Sequence, residues 1–162
     1  MPMTFSTRER YPVEPDRMLR VLTHPDVLRE QKRQQGALSA EVVERERSPQ
    51  HLVQQVNTLE YHRGMTGVDR SRTVPAETVY EWDLLQRRCR WHYRGERGDR
   101  VRLAGMIAVA AHPEGAQVES AFEIEVRAPL IGRAIEARIA REIEAGLGDF
   151  DDLLRRWCER VE

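Results

Sequence analysis

From Gln117 to Arg127 the chain alternates: Val118, Ser120, Phe122, Ile124 and Val126 point one way, and Glu119, Glu123, Glu125 and Arg127 the other. That period of two predicts a half-buried strand. Ala128 precedes Pro129 and is pushed toward extended backbone. The apolar period then switches to Ile131, Ile135, Ile139, Ile143, Leu147, Phe150, Leu154, Trp157 and Val161, one stripe at helical spacing. A helix of this kind can lie along a whole curved sheet and close it, so the ending predicts a container with a helical lid.

Upstream, Thr4 to Tyr11 reads as a first strand, with Phe5, Thr7 and Tyr11 on one side. Met18, Leu19 and Leu22 mark a short helix that His24-Pro25-Asp26 interrupts, and a second runs from Val27 to Gln34 and ends at Gly36. Two strands follow, Leu38 to Arg47 and His51 to Tyr61, joined at Ser48-Pro49-Gln50. The stretch from His62 to Pro75 has no clear period and reads as a loop with a short strand around Val68 to Val74. Pro75-Ala76-Glu77 could start a helix, but Tyr80 and Trp82 would share a face with Cys89, Trp91 and Tyr93 across a turn at Leu84 to Arg87, and a hairpin is the reading adopted. Val101 to His112 is a further strand, turning at Pro113-Glu114-Gly115 into the last one. Gly146 and Gly148 interrupt the final helical stripe and predict a kink or short break that could hinge over the sheet. The expected architecture is α+β: a curved antiparallel sheet of six to seven strands, two short helices after the first, and a long C-terminal helix across the sheet.

Composition narrows the class without naming a function. A length of 162 residues with no repeat or linker suits one domain, 1–162. The longest apolar run, around Met106 to Ala111, is far short of the roughly 20 residues of a membrane span. The N-terminal MPMTFSTRER lacks the apolar stretch of a secretory signal, so a cytoplasmic protein without stable membrane insertion is expected. Cys89 and Cys158 have no metal-ligand spacing and read as reduced thiols. The formal net charge is -1, so no global field favours nucleic acid or anionic lipid. Lys32 is the only lysine, a bias that reads as the base composition of a GC-rich bacterium.

The order of elements resembles the helix-grip fold of the START-like (SRPBCC) superfamily. Closer likeness lies in Arg102-Leu103-Ala104-Gly105-Met106-Ile107-Ala108-Val109, in Gly115-Ala116-Gln117-Val118, and in EIEVRAPLIGRAIEARIA from Glu123 to Ala140. These look like a bacterial subfamily of unknown function with a Pro-Leu-x-Gly corner before its lid helix. The resemblance implies an apolar cavity between sheet and lid. Its members bind lipids, sterols, polyketides or hormones, and some are enzymes, so it does not choose between carrying and catalysis.

The candidate lining is Tyr80, Trp82, Trp91, Tyr93, Leu103, Ile107, Phe122 and Ile124, opposed by Ile135, Ile139 and Ile143. The competing account is an ordinary filled core; Gly105 in mid-strand would leave room beside it. Gln55, Asn57 and Tyr61 share a face with Val53 and Leu59, which is expected to look inward, leaving Gln54 and Thr58 outside. Asn57 and Tyr61 are thus candidate polar ligand contacts. His24, His51, His62, His92 and His112 are scattered, so neither a metal nor a cofactor is expected, and His62 is the one considered as a general base. Arg88, Arg90, His92 and Arg94 point away from Cys89, Trp91 and Tyr93, and pairing with Glu119, Glu123 and Glu125 would make them a solvated face; nucleic acid is not an expected partner. The favoured reading is binding or transport of a hydrophobic or amphipathic small molecule, lipid- or polyketide-like. A cyclase- or hydratase-type enzyme and an interaction protein using the arginine face are the alternatives, and self-association is left open.

Overall fold

A computed structural model describes residues 2–64 and 67–161. The chain runs β1 (Met3–Tyr11), α1 (Pro15–Leu22), α2 (Pro25–Gln34), β2 (Ser39–Arg47), β3 (His51–Gly64), β4 (Gly67–Asp83), β5 (Arg88–Arg94), β6 (Val101–His112), β7 (Gly115–Val126) and α3 (Gly132–Cys158). The seven strands form one antiparallel sheet in the order β1-β7-β6-β5-β4-β3-β2. This is the helix-grip arrangement, with α3 lying across the concave face.

Most elements form where the period places them. The β4–β5 hairpin is present, with its turn at Leu84 to Arg87. The loop expected from His62 to Pro75 is instead mostly strand: β3 continues to Gly64, β4 starts at Gly67, and a register shift beside Tyr61 absorbs the irregular sequence. Residues 65 and 66, in the same stretch, lie outside the described residues. That strand ladder hides in the sequence because its outer residues are charged and its inner ones few. The break expected at Gly146 and Gly148 does not occur, as α3 is helical from Gly132 to Cys158. Both glycines face open space, and helical hydrogen bonding through them needs no side chain.

The two ends of α3 are fastened differently. At its start the chain turns through Ala128-Pro129-Leu130-Ile131, with Leu130 in the left-handed region at φ 71. Gly132 then sits so close to β7 that a Cβ would meet the Val126 carbonyl oxygen at 2.6 Å. Buried Glu136 reaches back to accept the Val126 backbone N–H at 2.8 Å. At its end, Leu153, Leu154 and Cys158 are buried against α1, where Met18 and Val21 are fully covered. Tyr11 of β1 donates to Asp151 at 2.8 Å, and Arg155 lies over its ring. The core runs from this end across the sheet, taking in α1, α2, the last turns of α3 and residues of β3 to β7, among them Leu52, Val56, Tyr80, Trp82 and Cys89.

The glycines yield a test. Gly132→Ala forces a Cβ onto backbone that has little freedom to yield and is expected to cost about 1–3 kcal/mol. Gly146→Ala, in open space on the same helix, is expected to add about 0.5–1 kcal/mol of stability. Urea unfolding midpoints of the two variants should move in opposite directions.

Candidate functional site

The concave face of the sheet is built in transverse rows, because antiparallel partners directly opposite share a face. One row runs Gln54 on β3, Tyr80 on β4, Trp91 on β5, Gly105 on β6, Phe122 on β7 and Phe5 on β1. Its rings touch in sequence: Tyr80 and Trp91 have centroids 6.5 Å apart, Trp91 and Phe122 meet edge-on at 5.9 Å, and Phe122 and Phe5 stack at 4.7 Å. Gly105 is the gap that makes this continuous. A Cβ there would lie 2.5 Å from the Trp91 indole and 2.5 Å from the Ala121 carbonyl oxygen. The room expected beside Gly105 is therefore occupied by Trp91, and the glycine serves ring packing, not empty space.

Above this floor the candidate apolar residues divide. Tyr80, Trp82 and Ile124 are buried, whereas Trp91, Tyr93, Leu103, Ile107 and Phe122 are only half-buried. Ile135, Ile139 and Ile143, on the middle of the lid, are half-buried too. The helix backbone approaches β7, β1, α1 and α2 closely, and the centre of the sheet does not receive comparable packing. The uncovered parts of these sheet and lid side chains define the candidate cleft, although Trp91 and Ile107 also pack against the buried core. Two open surface depressions lie outside the cleft, one under the β7–α3 corner at Val126, Gly132 and Glu136, the other between His62, Glu96 and Arg100, and no residue of the aromatic row lines either.

The polar candidates on β3 are reversed. Leu52, Gln54, Val56 and Thr58 are the buried, inward set, and Gln55, Asn57 and Tyr61 lie on the convex side. There Gln55 donates to Asn57 (2.7 Å) and Glu77 (3.0 Å), and Arg70 covers Tyr61. Both faces of β3 carry two apolar and two polar residues, so hydropathy alone could not choose. The inward polar groups are tolerated because the fold supplies partners: Gln54 Nε2 donates to the Thr23 carbonyl at 2.7 Å, and Thr58 Oγ1 lies 3.3 Å from the Ala76 carbonyl.

Lys32 was not among the expected site residues, yet it is the central charged group. It projects from α2 toward the sheet, is buried, donates from Nζ to Thr78 Oγ1 at 2.9 Å, and lies 5.9 Å from the centre of the Tyr80 ring. Among the described residues no carboxylate forms a direct ion pair with it. Burial pushes its ammonium down to about 8, with the charge of Glu60 pulling the other way. Glu60 faces the same cleft, accepting from Tyr93 Oη at 2.7 Å and from Thr58 Oγ1 at 3.1 Å. Burial first, then the Glu60 charge and hydrogen bond, hold the Tyr93 phenol protonated far above neutral pH. Gln54 Oε1, on β3 opposite Tyr80, is a further buried acceptor with no hydrogen-bond donor. One signal was available: 25 arginines against a single lysine make that lysine the exception, whatever the base composition.

The remaining candidates sit elsewhere. His62 lines the second depression, with Nδ1 2.5 Å from Glu96 Oε2. Arg88, Arg90, His92 and Arg94 are on the exposed convex face, but the acids opposite the three arginines are Asp83, Glu81 and Glu77 of β4. The expected partners on β7 are screened from them by β6, and Glu119 pairs with Arg8 instead. No helix is long and apolar enough to cross a membrane.

A family model described as "Protein of unknown function (DUF2505)" matches residues 6–158. No curated protein matches by sequence. Solved structures of similar fold include TTHA0849 from Thermus thermophilus, with a TM-score of 0.63, 16% identity and 98% of each chain covered. Ara h 8.0201 gives a TM-score of 0.65 at 14% identity over 99% of each chain. The ZhuI aromatase/cyclase from Streptomyces sp. R1128 gives 0.61 at 13% identity, covering 99% of this chain and 95% of that one.

The buried ammonium makes a measurable prediction. Its folded-state pKa of about 8 lies below the ordinary 10.5, so between these values the unfolded chain holds a proton that the folded chain has lost. Stability should therefore rise with pH across that window, and below it the fold carries the full penalty of about 3 kcal/mol, at about 1.4 kcal/mol per unit. Lys32→Met removes the charge but leaves the Thr78 hydroxyl without its partner, so a net gain of about 1–2 kcal/mol at neutral pH is expected. Denaturant titrations from pH 7 to 10.5 should show the rise in the parent chain and a flatter profile in the variant.

Proposed function

As this chain belongs to the DUF2505 family of proteins of unknown function, we propose from the geometry of its cleft that it binds a hydrophobic or amphipathic small molecule, lipid- or polyketide-like, between the concave sheet and α3. The observation that carries this reading is the half-buried state of Trp91, Phe122, Leu103, Ile135, Ile139 and Ile143 on surfaces that face each other. In a filled core such side chains would interdigitate and lose nearly all contact with water. A ligand covering them would gain about 25 cal/mol for each Å² of apolar surface removed from water. The aromatic row spans five steps between strands, about 24 Å along the sheet at about 4.8 Å each, which suits an elongated or multi-ring molecule. Fold likeness to an aromatase/cyclase supports no more than a shared architecture.

A second reading, a cyclase-type enzyme in the same cleft, is favoured by Lys32, Glu60 and Tyr93 all facing it, since these could exchange protons with a bound substrate. Turnover of a bound compound, lost in Glu60→Gln with binding retained, would select that reading.

Binding is tested with 2-methoxynaphthalene, an uncharged apolar probe, followed through its own fluorescence. Saturable binding is expected, and Ile139→Trp, which fills the cleft from the lid, should weaken it by about tenfold or more with the circular dichroism spectrum unchanged. Absence of saturable binding by the parent chain, or indifference to Ile139→Trp, would overturn the reading.

A further inference from the structure

The aromatic row is chemically lopsided. Phe5 and Phe122 end it on β1 and β7, while Gln54 ends it on β3, with Lys32 bonded to Thr78, two residues along β4 from Tyr80 and on the same face. Two hydrogen-bonding capacities are left over there. An ammonium has three N–H donors, and the side chain that accepts from Lys32 is Thr78. Gln54 Oε1 is a buried acceptor with no donor, and the amide is held in that orientation because its Nε2 already serves the Thr23 carbonyl. An unmet buried acceptor costs about 1–3 kcal/mol, so native structures seldom leave one without reason.

We propose that this end of the cleft is a subsite for a hydroxyl group carried on an aromatic ring system, its oxygen accepting from Lys32 Nζ and its proton donated to Gln54 Oε1. This rests on the binding reading above and names the polar end of the ligand. A hydroxyl both accepts and donates through a single oxygen. A ketone oxygen would serve Lys32 and leave Gln54 as it is, and a methyl ether sets a carbon where the proton should meet Gln54 Oε1, so its oxygen is not seated on Lys32. A carboxylate would serve Lys32 but set a negative charge against Gln54 Oε1 and against Glu60, whose own charge already acts on Lys32. The rest of the molecule would lie over Tyr80 and Trp91, whose tilted rings offer an aromatic ligand edge and face contacts.

The test compares three probes of one size on the full chain by titration calorimetry: 2-naphthol, 2-methoxynaphthalene and 2-naphthoate. The hydroxyl compound should bind about tenfold or more tightly than the methyl ether, a discrimination usual for a site built to pair a hydroxyl. Lys32→Met and Gln54→Leu should each remove most of that advantage while affinity for 2-methoxynaphthalene is kept, which also reports an intact cleft. Because Lys32 is the only lysine, 15N-lysine labelling gives one side-chain ammonium resonance, and this should shift with 2-naphthol and not with the ether. Equal affinity for naphthol and ether, tightest binding of 2-naphthoate, or a resonance unmoved by 2-naphthol would each overturn the subsite while leaving the binding reading intact. If the ether fails to bind the parent chain, the binding reading falls and the subsite with it.

Discussion

The architecture depends on a stiff helix held at its two ends. Gly132 and Glu136 fix the start of α3 to the last residue of β7, and Leu153, Leu154 and Cys158 fix its end in the core against α1. Between those anchors lie about five turns of continuous helix. The sheet curves away beneath them. Over this span Ile135, Ile139 and Ile143 keep part of their surface open. The Arg63 to Glu142 ion pair beside this span is half-exposed on both sides and adds little to the restraint.

The same constraint divides the concave floor. Where α2 covers β2 and β3, side chains are buried and polar groups must find partners, as Gln54, Thr58 and Lys32 do in part. Under the unsupported span of α3 the floor is aromatic and aliphatic, and Gly105 lets the Trp91 indole lie flat across β6. Chemistry and shape thus change together along one row.

How much of this was legible in the sequence follows from which signals were redundant. The strand from Gln117, the Pro-Leu-Ile-Gly corner and the long helix combine period, φ restriction and glycine and form as expected, although the buried positions in the first half of α3 are Gly132, Glu136 and Ala140, with the isoleucine stripe half-buried and Ile131 exposed. On β3 there is one signal and it is balanced, Leu52 and Val56 against Val53 and Leu59, so the pattern that turns Asn57 and Tyr61 inward is overridden by the covering helix, which makes Gln54 and Thr58 the buried pair. A one-residue choice of register inverts a whole face. Gly105 was read as space because a missing side chain looks the same in sequence whether a cavity or a neighbouring ring takes its place. The extent of β3 and β4 was hidden for a different reason: outer-face charges and a register shift erase the alternation that would have marked the ladder.

Lys32 shows where composition misleads. A bias toward arginine accounts for cations on a solvated surface, where the two residues are nearly equivalent, but it says nothing about a position with one hydroxyl acceptor and an aromatic face. An arginine there would bury five N–H donors in a fixed fork and could not shed its charge. A lysine buries a compact head, satisfies one bond with Thr78, rests against Tyr80, and can lower its proton affinity when desolvated. The site therefore demands lysine on physical grounds, and it does so at a cost to stability that packing alone would not ask for. A desolvated charge on the same sheet face as an unmet acceptor is the pattern expected where a fold gives up stability to hold polar groups ready for something else to bind.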